Sequence, residues 1–172
     1  MGALRCRRRW RFGAVGAGVL AASLTLTPPL TYGLVTAAAE RLGLDLTGAR
    51  PLPYRDNNRY FFFPPKNGDR GARRLATELL AAMPPGAVLI ADYTLWRPLL
   101  FLQRVERVRP DVEVVFAERL WGEGVDRWIA RQGPARRVFL ATDRPPAYYQ
   151  LERVRARFGL RRWGWAVELV GC

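Results

Sequence analysis

The chain has 172 residues, enough for one packed domain and an appendage. Hydrophobic residues make up 49% and charged residues 25%, which excludes wholesale disorder. The net charge is +13, carried almost wholly by arginine, and histidine is absent, so the commonest general base and metal ligand is missing.

The positive charge is unevenly placed. Arg5, Arg7, Arg8, Arg9 and Arg11 all precede the first acid, Glu40, and without those five the chain still carries +8. A basic balance attracts phospholipid headgroups, nucleic acid or phosphorylated ligands. The later arginines are scattered among acids, which reads as ordinary solvated surface. Cys6 and Cys172 lie on either side of the apolar segment described next. No disulfide between them is expected, and neither has metal-ligand spacing.

In chain order, residues 1–11 read as a basic cytoplasmic tail. Residues 12–39 read as a transmembrane helix, because no charge interrupts Phe12 to Ala39 and roughly 20 apolar residues cross the hydrocarbon core. Arg7, Arg8, Arg9 and Trp10 would anchor its inner edge. Pro28 and Pro29 would kink or interrupt its outer third. The charge asymmetry keeps the N-terminus in the cytoplasm and sends the remainder out. The rival reading is a cleavable signal peptide with Ala37, Ala38 and Ala39 before the cut. A buried helix of a soluble protein is a third reading. The abundant glycine and alanine here either let neighbouring helices pack closely or simply make a moderately hydrophobic helix, the simpler account.

Residues 40–66 read as a linker punctuated by glycine and proline. It holds an aromatic cluster, Tyr54 and Tyr60 to Phe63, beside Arg55 and Arg59. Such a mixture suits either a membrane interface or packing on the following domain.

Residues 67–172 carry alternating helix and strand patterns. Helices are expected over 69–83, 95–108, 124–131 and 145–158, with strands over 87–91, 112–116, 138–141 and 163–170. Ala87 to Ala91 is a continuous apolar run, as in a strand buried on both faces. This order predicts a three-layer α/β/α Rossmann-like domain, with a mostly parallel sheet of about four strands. The last strand could be an antiparallel edge.

In such sheets ligands bind beyond the carboxyl ends of the strands. Those ends carry Asp92 and Thr94, then Glu118, then Asp143, which are therefore the candidate ligand-binding residues. Asp92 and Asp143 could hold a sugar hydroxyl or a hard cation. The simpler reading is that they cap the helices that follow. No phosphate-binding glycine motif follows a strand, no nucleophile elbow is present, and a Ser-His-Asp triad cannot be built. No metal and no cofactor is expected. Arginine–aromatic mixtures at Arg127 and Arg161 match nucleic-acid binding only loosely, and no nucleic acid partner is expected for an exported domain.

Three strings occur in order: PPGAVLIADYT from Pro84, P-L-x-x-L-Q at Pro98 to Gln103, and RPDVEVV at Arg109 to Val115. With their surroundings they resemble the C-terminal region of a bacterial multi-pass membrane family of unknown function. That family is related to the transmembrane protein O-mannosyltransferases and the GT-C-like glycosyltransferases. The resemblance implies a final transmembrane helix leading into an extracytoplasmic α/β domain. It also implies partners: the lipid bilayer and other transmembrane helices of a glycosyltransferase-like core. The catalytic acid of that family belongs to an early loop, and the matching stretch is absent here, so no catalytic residue carries over.

The expected function is thus a membrane-anchored accessory domain, non-catalytic on its own, at the bacterial inner membrane with its C-terminal domain periplasmic or extracellular. One alternative is a carbohydrate- or phosphosugar-acting enzyme using the acids at the sheet edge. Another is an anionic lipid or nucleic-acid binder.

Overall fold

A computed structural model describes residues 3–62, 66, 68–132, 136–144 and 149–171, with side chains from residue 13 onward. The side chains of Arg7, Arg8, Arg9 and Trp10, both cysteines and Pro145 lie outside the described residues. The chain divides into two compact units. One comprises Met1–Gly48 and Asp56–Asn67, the other Ala49–Arg55 and Gly68–Cys172.

The first unit is dominated by α1, Ala3–Leu42. Its stretch Gly13–Leu42 is long and apolar enough to cross a membrane. The helix runs through Pro28 and Pro29 rather than stopping there. Thr25 Oγ1, one turn earlier, donates to the Ala21 and Ala22 carbonyls, so this hydroxyl is satisfied within the helix. Its apolar side chains face outward: Leu20, Leu24 and Leu34 are 61%, 68% and 73% exposed. Beyond it, a short helix α2, Asn57–Phe62, forms inside the stretch expected to be linker. Buried Asn58 explains why that stretch is ordered, since its amide donates to Leu44 O at 2.6 Å and accepts from Leu46 N at 2.9 Å.

The second unit is a mixed α/β domain built on an open sheet. The strands are β1 (Val88–Ala91), β2 (Glu113–Phe116), β3 (Val138–Leu140), β4 (Phe158–Trp163) and β5 (Ala166–Gly171), in the order β2-β1-β3-β5-β4. β1 pairs in parallel with β2 and β3, while β5 is antiparallel to both β3 and β4. Among the described residues the sheet therefore has five strands rather than about four. The extra strand arises where Gly164, at φ 60°, and Trp165 make a two-residue turn between β4 and β5. A glycine suited to positive φ closes the hairpin there. Leu160 and Leu169 pair across it, so residues 159–162, which carry no assigned pattern between the expected helix and the expected last strand, form half of a hairpin.

All four β1 residues are buried, as the continuous apolar run predicts. Leu89 and Ala91 join a cluster with Leu75, Leu79 and Leu80 of α3 (Gly71–Ala82) and Leu95, Leu99 and Leu102 of α4 (Tyr93–Arg104). Val88 and Ile90 join a second cluster with Val125 and Ile129 of α5 (Val125–Arg131) and Leu151 and Val154 of α6 (Leu151–Arg157). Side chains of a strand alternate in direction, so one short strand serves both clusters.

Candidate functional site

The strand order reverses at β1. The chain leaves β1 through α4 to reach β2, then returns through α5 to β3 on the other side of β1. A crevice beyond the carboxyl ends at such a reversal is where open α/β sheets bind ligands. Asp92 directly follows β1, Ala117 to Leu120 form a 3-10 turn directly after β2, and Thr142 and Asp143 follow β3.

Asp92 is fully buried and is the N-cap of α4, accepting from the backbone N–H of Thr94 and Leu95 through Oδ1. The Thr94 hydroxyl donates to the same oxygen at 3.0 Å. Its other oxygen, Oδ2, lies 2.5 Å from Arg50 Nη1. Arg50 Nη2 donates to Thr94 Oγ1 at 2.8 Å. Glu118 reaches the same helix start, where Oε1 accepts from Tyr93 N at 3.0 Å. The structure thus brings Asp92, Thr94 and Glu118 together. Capping accounts for Asp92, and an arginine from the preceding segment occupies its remaining oxygen.

Tyr149 completes the buried polar group. It is fully buried, and burial, reinforced by the Asp92 carboxylate, pushes its phenol well above the usual tyrosine range.

Asp143 stands apart from these. It is ion-paired with Arg162 on β4, Oδ1 to Nη1 at 3.1 Å. The Asp143 and Arg162 segments border a cleft of about 100 Å³ whose wall includes Pro51, Pro53, Leu75, Leu95, Arg144 and Trp165. The segment Ala49–Arg55 closes one side of it. Gly71 permits that approach, because a Cβ there would fall 2.3 Å from Tyr54 O. Trp165 is set from behind: its Nε1 donates to Glu78 Oε2 at 2.8 Å, the Tyr54 hydroxyl donates to the same oxygen, and the two rings meet edge to face. These donors, Tyr54 first, hold the Glu78 carboxyl below the usual range.

The second and third of the three strings are tied together in the fold, and the third is tied to the end of α3. Gln103 Nε2 donates to Arg109 O and Val112 O, which ties the second string to the third. Arg109 Nη1 donates to Leu80 O and Met83 O, satisfying carbonyls at the end of α3 just before the first string. Its other nitrogens grip Asp111 and hold that carboxyl at about 2.

The sequence does not mark Arg50 or Tyr149, whereas Arg144 follows the third strand beside Asp143, and Arg162 and Trp165 fall in the arginine–aromatic mixture that starts at Arg161. Arg50 sits in a proline-punctuated segment with no period, so nothing local marks it as a partner of a residue 42 positions later. Among the described residues, no group of three or more acids, cysteines or histidines is placed to hold a metal ion. No protein-family model, curated protein or solved structure matches the chain.

Proposed function

We propose that this chain is a membrane-anchored accessory domain of a glycosyltransferase-like membrane protein, non-catalytic on its own. In this reading α1 spans the bacterial inner membrane with its arginine-rich end in the cytoplasm, and the α/β unit, taken as a three-layer Rossmann-like domain, lies on the outer side. The observation that carries it is the long apolar helix whose leucines stay exposed within the chain. That surface calls for lipid or neighbouring helices.

Two further features support the reading. The second and third of the strings resembling the glycosyltransferase-related family serve as structural ties in the fold, the part such an accessory domain would share with that family. The acids at the strand ends are also engaged. Asp92 has both oxygens committed to the helix cap and Arg50, and Asp143 faces Arg162. A general acid or base needs a carboxyl free to exchange a proton with substrate, which argues against the carbohydrate-acting enzyme that uses these acids.

Protease added to spheroplasts tests the topology. The α/β unit should be cleaved there and protected in inverted vesicles, and the reverse pattern would refute the proposed orientation. Crosslinking in the native membrane tests the partnership. The expected adduct is a polytopic protein with glycosyltransferase-like helices, and capture of lipid alone would sink the accessory role.

A further inference from the structure

We propose that the cleft beyond the carboxyl end of β3 binds a small organic phosphate or carboxylate whose ring lies on the Trp165 indole. The described lining residues all belong to the α/β unit, so the proposal does not depend on the anchor or on the accessory role. The cleft's volume of about 100 Å³ holds the phosphate or carboxylate group, and the ring would rest outside it on the half-exposed Trp165. Its floor is apolar, from Leu75, Leu95 and Ala141, and its polar groups are few and convergent. That combination marks small-ligand sites, and the position matches where open α/β sheets bind them.

The polar groups select an anion. Arg144 and Arg162 both line the cleft, and Asp143 is ion-paired with Arg162. Two guanidiniums against one carboxylate leave a net positive charge. Asp143 and Arg162 are unequal in exposure, with side chains 17% and 66% exposed. The acid is therefore the more buried partner of a largely exposed guanidinium. Arginine suits an anion because its planar fork matches phosphate and carboxylate geometry.

The aromatic group selects a ring. Trp165 lines the cleft and is 41% exposed. Its position is set in advance by the hydrogen bond to Glu78 and the edge contact with Tyr54. A preset indole loses little freedom when a flat ligand face settles on it.

The test uses the full-length chain in phosphatidylcholine nanodiscs, titrated calorimetrically with glucose 1-phosphate, inorganic phosphate and glucose. Glucose 1-phosphate should bind tightest. The R144Q/R162Q double variant should weaken it by about tenfold or more, as expected for losing charge-assisted hydrogen bonds. W165A should erase its advantage over inorganic phosphate. R155Q, at an exposed position of α6 outside the cleft lining, should change nothing. If R162Q disturbs folding through Asp143, R144Q alone, at an exposed position, should still weaken binding several-fold.

The proposal is overturned if the folded wild-type chain binds none of the three at millimolar concentration. It is equally overturned if the double variant binds like wild type. Nanodiscs containing phosphatidylglycerol separate the sources of the anion. Competition with glucose 1-phosphate assigns a lipid headgroup, and its absence assigns a soluble ligand, each with the same arginine dependence.

Discussion

Arg50 and Asp92 form a buried ion pair, Nη1 to Oδ2 at 2.5 Å, with side chains only 5% and 0% exposed. The pair joins the segment entering the α/β unit to the start of the helix after β1. Water is excluded from both groups, so each depends on the other.

Removing one partner should therefore be costly. R50A leaves the Asp92 charge buried with only its cap donors, and a loss of about 3–5 kcal/mol is expected. The R50A/D92A double variant should lose less than the sum of the two single variants, because no orphaned charge remains. Denaturant unfolding of the full-length chain in detergent measures this. A single-variant loss within about 0.5 kcal/mol of zero would show that the pair is inert.

Glu168, in the middle of β5, is 4% exposed and accepts from Arg137 Nε at 2.6 Å and Arg161 Nε at 2.9 Å. Both arginines are substantially exposed, at 41% and 59%, so solvent screens much of the interaction. E168Q should cost about 1–2 kcal/mol, short of the full penalty for a buried pair. The Arg137 hydrogen bond chiefly holds the Glu168 carboxyl below the usual range. Its stabilisation is complete above the pH where an unfolded glutamate ionises and fades as pH falls through the depressed value. The acid limb of the stability curve should thus be shallower in E168Q.

Tyr149 predicts the behaviour at the other end of the pH scale. Its phenol is raised by burial and then by the Asp92 charge. Its contribution is intact below the ordinary tyrosine range. It is lost as pH rises, because the unfolded state ionises first. Y149F should move the alkaline unfolding midpoint upward. An unchanged midpoint would show that the buried phenol is not what limits alkaline stability.

Glu78 is a surface hub that accepts from Tyr54, Trp165 and Arg74. Its lowered carboxyl, owed first to Tyr54, stays ionised until the solution is more acidic than the usual glutamate range. Below that point the Trp165 ring should loosen. An acid-dependent fluorescence change, isolated by subtracting W165F, should appear in wild type and vanish in E78Q. Persistence in E78Q would assign the change to another acid.

Gly71 tests the closeness of the entering segment. The Tyr54 carbonyl leaves no room for a Cβ, since the separation would be 2.3 Å. G71A should cost about 1–3 kcal/mol through backbone displacement, even though alanine is the better helix former. A neutral or stabilising result would mean that the segment yields easily.

Much of the architecture was legible from one dimension. The apolar run of α1, the buried period of β1 and the helical spacing of Leu75, Leu79 and Leu80 all register local burial, which periodicity reports directly. Asp92 was legible as a cap because capping is a contact across two or three residues. The hairpin of β4 and β5 was not, because its pairing is written across strands rather than along one. Asn58 likewise ordered a stretch that composition read as linker.

The sequence by itself determined the apolar span, the charge asymmetry beside it and the alternation of helix with strand. These are properties of neighbouring residues, and burial imposes them locally. Only the tertiary structure decided which charges meet. Arg50 finds Asp92, Arg162 finds Asp143, and Trp165 joins the prolines of a distant segment at one cleft. Ion pairing depends on separation in space, and distant segments come together only once the chain has folded around its core.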